Sequence, residues 1–298
     1  MPWRDVDRYT FAQVDNLPNQ IVVPHGEQFD VDASLSNTTR WSPTSASARF
    51  DSQSTVKADN RNQSYQFELP AQTGNGTLNI RVGDLTKEVA VEVANRPELS
   101  SLTALITLPE YLAYTRPLKA DVRGGVISVL KGATAEFEAE VSRNLAEASV
   151  GNVPASVAAN RIHPAPLKVE ESEVLNLLWR DELGLTARDT FQLKINAVDD
   201  APPEISFQQQ DPQQVVLSTD TIVFDLQSRD DFGVKHLGIE WKGIQHPVQN
   251  PDPDTGEKLV KGGAPEDIRL TASATFCAET DNVRAQTLEM RSYVEDYK

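Results

Sequence analysis

Four carboxylates carry the sharpest chemical signal in this chain. Asp199 and Asp200 are adjacent, and Asp230 and Asp231 form a second adjacent pair further on. A hard cation such as Ca²⁺ takes about six to eight oxygen ligands, several of them from carboxylates. Two acidic pairs flanking one linker are a plausible source of such ligands, with Glu182 or Asp189 able to add more. Asp199, Asp200, Asp230 and Asp231 are therefore the candidate ligands of a calcium ion in an alternative reading, and otherwise no cofactor is expected. The same residue types also favour tight turns through their backbone geometry, so Asp230-Asp231-Phe232-Gly233 reads equally as a β-turn.

Other chemistry-bearing residues point away from catalysis. Asp252-Pro253-Asp254-Thr255-Gly256 resembles the start of an EF-hand loop, but position twelve is Gly263 rather than a bidentate Glu, so a plain turn is expected. The histidines, His25, His163, His236 and His246, lack the pair spacing of a transition-metal site. No Gly-x-Ser-x-Gly elbow, phosphate loop, dinucleotide fingerprint or His-Glu-x-x-His occurs. Cys277 has no basic neighbour within the adjacent residues and reads as a structural thiol. Trp3, Trp41, Trp179 and Trp241 would stack on a sugar if exposed together. Trp41, Trp179 and Trp241 lie in or beside strand patterns, so core packing is expected of them.

The elements that must position these residues are strands. Apolar and polar residues alternate in Phe29–Leu35, Tyr65–Leu69, Leu78–Val82, Val89–Val93, Phe137–Val141 and Leu193–Ala197. The pattern returns in Ile222–Leu226, Leu237–Trp241 and Leu288–Ser292. Each segment presents one apolar face, as a half-buried antiparallel strand requires. Turn residues at Gly74-Asn75-Gly76, Val82-Gly83-Asp84 and Arg123-Gly124-Gly125 separate them. Glu170–Leu185 is the best helical window, yet it fits a strand running into a turn at Asp181–Gly184. Residues 144–160 are rich in Ala and Ser and read as loop with a short helix.

Two linkers divide the chain, one at Asn95-Arg96-Pro97-Glu98 and one at Asp199-Asp200-Ala201-Pro202-Pro203. Paired prolines fix φ twice and remove two donors, which stiffens a connection. The expected organisation is an N-terminal flank at 1–10 and β-sandwiches at 11–96, 97–200 and 201–298. The third carries an irregular, exposed excursion over 244–266. The expected fold class is all-β: tandem immunoglobulin-like (fibronectin- or cadherin-like) antiparallel β-sandwiches, stacked as a stiff rod. Both ends read as cut from a longer protein.

Composition narrows the function further. Of 298 residues, 28 are Lys or Arg and 44 are Asp or Glu, a net charge of −16. Phosphate neutralisation needs clustered cations, so nucleic acid is not an expected partner. No run of the sequence is apolar enough to span a bilayer, so this segment itself is not expected to insert in a membrane. One cysteine excludes an intrachain disulfide framework.

The order of several short motifs resembles a known group. These are Val23-Pro24-His25-Gly26-Glu27, Arg81-Val82-Gly83-Asp84, Leu108-Pro109-Glu110-Tyr111-Leu112, Asp199-Asp200-Ala201-Pro202-Pro203 and Asp230-Asp231-Phe232-Gly233-Val234. Together with Pro2-Trp3 and Trp241-Lys242-Gly243 they resemble large membrane-anchored bacterial proteins of planctomycete and verrucomicrobial type. In that group extracytoplasmic immunoglobulin-like domains precede a coiled-coil-prone region. The resemblance implies a periplasmic or extracytoplasmic location and anchoring by segments outside this sequence. It implies no catalytic residues. A non-enzymatic spacer or interaction module, meeting a protein partner or a cell-envelope component, is the expected function. The alternatives are a calcium-stiffened adhesion ectodomain and a module binding cell-wall glycan. For the former, Asn196-Ala197-Val198-Asp199-Asp200-Ala201-Pro202 is similar to the cadherin linker Asp-x-Asn-Asp-Asn-x-Pro, departing at Asn196, Val198 and Asp200.

Overall fold

The computed structural model describes residues 10–208 and 213–298. Trp3 and most of the 1–10 flank lie outside them. Contacts gather the chain into two compact units. The first comprises residues 1–102, 138–164 and 175–192, the second residues 103–137, 165–174 and 193–298.

The first unit opens with seven strands in two sheets. Gln20–Pro24, Leu85–Ala94, Gly76–Val82, Ser45–Phe50 and Val56–Asp59 lie side by side in that order, and Phe29–Ser34 pairs with Ser64–Leu69. In chain order the third, sixth and seventh strands share one sheet and the second pairs with the fifth, as in an immunoglobulin-type sandwich. Alternation decides which side chains meet. Val31, Ala33, Tyr65, Phe67 and Leu69 come from the smaller sheet, Ala46, Ala48, Phe50, Leu78, Ile80 and Val89 from the larger. Tyr65 is fully buried, and its hydroxyl donates to Pro43 O at 2.6 Å, which removes the penalty of burying a phenol. Val82 and Leu85 are paired, so Gly83-Asp84 is a two-residue hairpin turn. Gly83 takes φ +60°, a conformation that costs glycine nothing.

The rest of this unit corrects one expectation. Residues 144–160 are a hairpin, Leu145–Val150 against Val153–Ala158, with no helix. A register shift between Leu145 and Glu147 breaks the two-residue period, and the buried position facing Trp179 is only Ala148. Both features erase the apolar alternation from which strands are read. The 170–185 window resolves as strand Glu173–Asp181, with Leu177 and Trp179 buried and Val174 and Leu178 exposed.

In the second unit, Val126–Leu130 pairs with Phe191–Val198 in parallel. Gln20–Pro24 also runs parallel to Leu85–Ala94 in the first unit. Both depart from a purely antiparallel fold, because alternation reports a buried face and not a neighbour's direction. The C-terminal part has two three-stranded sheets. One is Glu204–Gln208, Ile222–Arg229 and Arg269–Phe276; the other is Thr255–Gly262, His236–Gly243 and Leu288–Glu295. Phe224, Leu226, Leu237, Ile239, Trp241, Leu270 and Phe276 fill the space between them, with Trp241 edge-on to Phe276 at 5.2 Å. About a third of the expected irregular excursion over 244–266 is strand: Thr255–Gly262 pairs along His236–Gly243. The proline-rich part before it and residues 263–266 stay irregular. The chain is all-β, built of tandem sandwiches.

Candidate functional site

The four predicted ligands lie in the second unit, and the structure divides them. Asp199 is three-quarters exposed and forms an ion pair with Lys131 Nζ at 2.8 Å. Asp200 accepts a hydrogen bond from the Tyr111 hydroxyl at 3.0 Å. Asp230 is buried. Its Oδ2 accepts from the backbone N–H groups of Phe232 (3.0 Å) and Gly233 (2.7 Å), while its Oδ1 has no partner. Asp231 lies near the backbone N–H of Ala201, which acts against the rise of its carboxyl.

The structure therefore brings Asp200, Asp230 and Asp231 into one neighbourhood and leaves Asp199 to a cation. Burial, followed by the Asp230 charge, raises the Asp231 carboxyl above the ordinary aspartate value. Asp231 is solvent-exposed, so water screens much of this effect. Burial and the hydrogen bond to Asp200 push the Tyr111 phenol up to about 12. Tyr114 also lies in this cluster: its hydroxyl donates to Phe232 O at 3.0 Å, and burial raises it too. The fit to calcium is poor by the donor set. Among the described residues no three His, Cys, Asp or Glu side chains converge to hold a metal ion. Glu182 and Asp189 are exposed residues of the first unit. Asp254, the EF-hand look-alike, is taken by Arg284 Nη2 (2.6 Å), Arg284 N (2.8 Å) and Gln286 Nε2 (2.7 Å). Its carboxyl is held below the usual range, chiefly by the Arg284 hydrogen bonds.

The first linker is held without any acidic pair of its own. Arg96 Nε contacts both Glu27 oxygens at 3.0 Å, and its Nη1 donates to Thr186 O at 3.0 Å. Trp179 Nε1 donates to Pro97 O, and Glu98 N donates to Ser142 Oγ. The Arg96 hydrogen bond holds the Glu27 carboxyl below its ordinary value. Sequence reasoning missed Glu27, Tyr111 and Tyr114 as linker residues. Tyr111 stood in the Leu108–Leu112 motif and Glu27 in the Val23–Glu27 motif, signals of order without a role; Tyr114 gave none.

The remaining candidates are scattered. His236 Nδ1 lies 3.0 Å from Glu295, and His246 accepts from the N–H groups of Val248 and Gln249 within its own turn. Cys277 is half-buried, its thiol lowered first by the backbone N–H of Thr280. Trp179 and Trp241 are buried as expected. Trp41 is not: it is 50% exposed, which corrects the expectation of core packing. Its strand begins only at Ser45, so no facing sheet covers it.

These features define the class: a tandem immunoglobulin-like β-sandwich chain. No family model and no curated protein matches it. Among solved structures, the I9–I11 tandem of titin aligns over 89% of this chain and 98% of its own, at 12% identity and TM-score 0.26. Fibronectin(III)-like modules of Clostridium thermocellum CbhA cover 63% and 94%, at 12% identity and TM-score 0.34. A Corynebacterium diphtheriae protein provisionally described as membrane-anchored covers 95% and 86%, at 12% identity and TM-score 0.24. Among the described residues no helix is long and apolar enough to cross a membrane.

Proposed function

We propose that this chain is a non-enzymatic spacer and interaction module in the extracytoplasmic region of a membrane-anchored bacterial protein. The division into sandwiches at 11–96, 97–200 and 201–298 belongs to that reading. One observation carries it: both proline linkers are clamped by side chains from distant parts of the sequence. Arg96 ties to Glu27 and Thr186, while Tyr111 holds Asp200. A chain selected to hold domain angles needs such clamps; a flexible tether does not. The acidic surface supports solubility at high local concentration. Exposed sheet edges offer contact surface for a protein or envelope partner.

Pulsed dipolar spectroscopy tests the spacer part. Spin labels at Gln53 and Asn152, in a background with Cys277→Ser, span the first linker. A narrow distance distribution that broadens in Arg96→Ala is expected. An equally broad distribution in both proteins overturns the clamp. Cross-linking and mass spectrometry of the full-length protein in intact cells tests the interaction part. A reproducible partner on one sandwich is expected; intramolecular links alone refute the interaction role.

A calcium-stiffened adhesion module is the second reading, and the buried, unpartnered Asp230 Oδ1 favours it. It requires that Asp199→Ala and Asp230→Ala lower the melting temperature further when calcium is present than when it is absent. Equal losses with and without calcium refute it.

A further inference from the structure

The outer face of the five-stranded sheet in the first unit combines three features that its acidic surroundings do not predict. The first is Trp41. Its six-membered ring lies against Gly83, where an added Cβ would come 2.5 Å from the ring and 2.9 Å from Pro43. Its backbone N–H donates to Phe11 O. The indole is thus fixed by backbone contacts on one side while half of its surface remains in solvent. A rigid, exposed indole loses little entropy on binding.

The second feature is charge. Ser47 is paired with Arg81 on one neighbouring strand and with Lys57 on the other, so both cations point outward on one row. Both are exposed, and among the described residues neither forms an ion pair. This is unexpected in a chain where acids outnumber bases by 44 to 28. Arg81 Nε leans toward Gly83 O at 3.4 Å, which brings its guanidinium to the turn that seats Trp41. Arg49 is exposed on the next row, and Asp59 is the one carboxylate on the same strand as Lys57. The third feature is a shallow concavity of about 420 Å³ lined by Trp41, Lys57, Arg81 and the hydroxyls of Ser45 and Ser47.

We propose that this concavity binds an acidic saccharide, a pyranose carrying a carboxylate. The indole face attracts the polarised C–H groups of a sugar ring. The Arg81 fork matches a planar carboxylate, and Lys57 adds a point charge at the other side of Ser47. The hydroxyls of Ser45 and Ser47 complement ring hydroxyls. Neutral sugars would use only the indole and the serines. A long polyanion such as nucleic acid would meet the net charge of −16 beyond the patch. The assignment rests on the interaction reading and names the chemistry of an envelope partner.

The test is isothermal titration of the purified chain with a galacturonic acid hexamer, chitohexaose and a dT12 oligonucleotide, at 50 and 500 mM salt. Saturable binding of the uronate is expected, at least tenfold tighter than of either other ligand and weakened at high salt. Trp41→Phe and Arg81→Gln should each weaken it about tenfold, and Lys57→Gln about threefold. Arg81→Gln alters only an exposed side chain, so it separates loss of the site from loss of the fold, which circular dichroism checks in parallel. No saturable uronate binding, binding unmoved by Arg81→Gln, or tighter binding of dT12 overturns the proposal. The spin-label distances do not depend on this patch, so failure here leaves the spacer reading intact. Loss of the spacer reading likewise leaves the titration unaffected.

Discussion

Asp181 offers the sharpest test of how a single carboxylate holds this fold. It ends strand Glu173–Asp181 and is 1% exposed. Its Oδ1 accepts the backbone N–H groups of Leu183 (3.0 Å) and Leu185 (2.7 Å), which closes the turn around Gly184. Its Oδ2 lies 2.9 Å from Arg143 Nε, yet the two atoms are too poorly aligned to form a hydrogen bond. The ion pair is therefore close but weak in direction, and the backbone turn is where the carboxylate acts. Hydrogen bonds to a charged group contribute about 1.5–3 kcal/mol each. Two of them, less the relief of no longer burying the anion, put the cost of Asp181→Ala at about 3–4 kcal/mol.

Arg143→Ala leaves the anion buried but still held by two amides, and Arg143 itself is one-third exposed. Its cost should be smaller, about 1–2 kcal/mol, with a coupling near 1 kcal/mol in the double-mutant cycle. Hydrogen exchange of the 181–185 segment reads the local effect, and urea denaturation reads the total. Faster exchange at Leu183 and Leu185 is expected in Asp181→Ala and not in Arg143→Ala. An Arg143→Ala cost equal to or above that of Asp181→Ala would show that the ion pair, and not the turn, is the source of stability.

Three further outcomes follow from the linker and turn chemistry. The Tyr111 phenol, pushed to about 12, should be missing from the high-pH tail of an ultraviolet titration of Tyr111→Phe; an unchanged tail refutes the Asp200 contact. Asp231 has a folded value raised above its unfolded one, so its contribution is present at low pH and is lost as pH rises through the raised value. Asp231→Asn should accordingly raise the melting temperature at pH 7 and flatten its dependence on the acid side; a lower melting temperature at pH 7 contradicts this sign. Asp254 has a lowered value, so its stabilisation is present at neutral pH and fades as pH falls through that value. Asp254→Asn should speed exchange across residues 244–254 at pH 7 while leaving Thr255–Gly262 protected, and uniform acceleration of both would place the anchor elsewhere.

The strands were legible in the sequence because burial on one face imposes a period of two, and Phe29–Ser34, Ser64–Leu69 and Ile222–Arg229 carry that period without interruption. The 145–158 hairpin was not legible, since a register shift between Leu145 and Glu147 breaks its period and the inward position after it is only Ala148. The Thr255–Gly262 strand was hidden by the prolines and glycines before it. Its own alternation, with Glu257 and Leu259 on one side and Lys258 and Val260 on the other, is mixed in polarity. The direction of pairing was beyond reach, as the two parallel pairs show.

The site residues divide along the same physical line. Asp200, Asp230 and Asp231 announced themselves because adjacent like charges are conspicuous in one dimension. What the structure adds is the partner of each, and those partners lie far away in the chain: Tyr111 for Asp200, Lys131 for Asp199, Glu27 for Arg96. A side chain of ordinary composition gives no local sign that a distant linker depends on it. The same holds for Trp41, Lys57 and Arg81, which become one surface only when the register of three strands aligns Lys57, Ser47 and Arg81 and a glycine turn seats the indole beside them. Composition argued against polyanions because it averages charge over the whole chain. A binding surface is decided by charge within a Debye length of about 10 Å, where Lys57 and Arg81 count for more than the excess of carboxylates summed over the whole chain. The global argument excludes nucleic acid and the local one admits a small acidic sugar, and the uronate and dT12 titrations distinguish them.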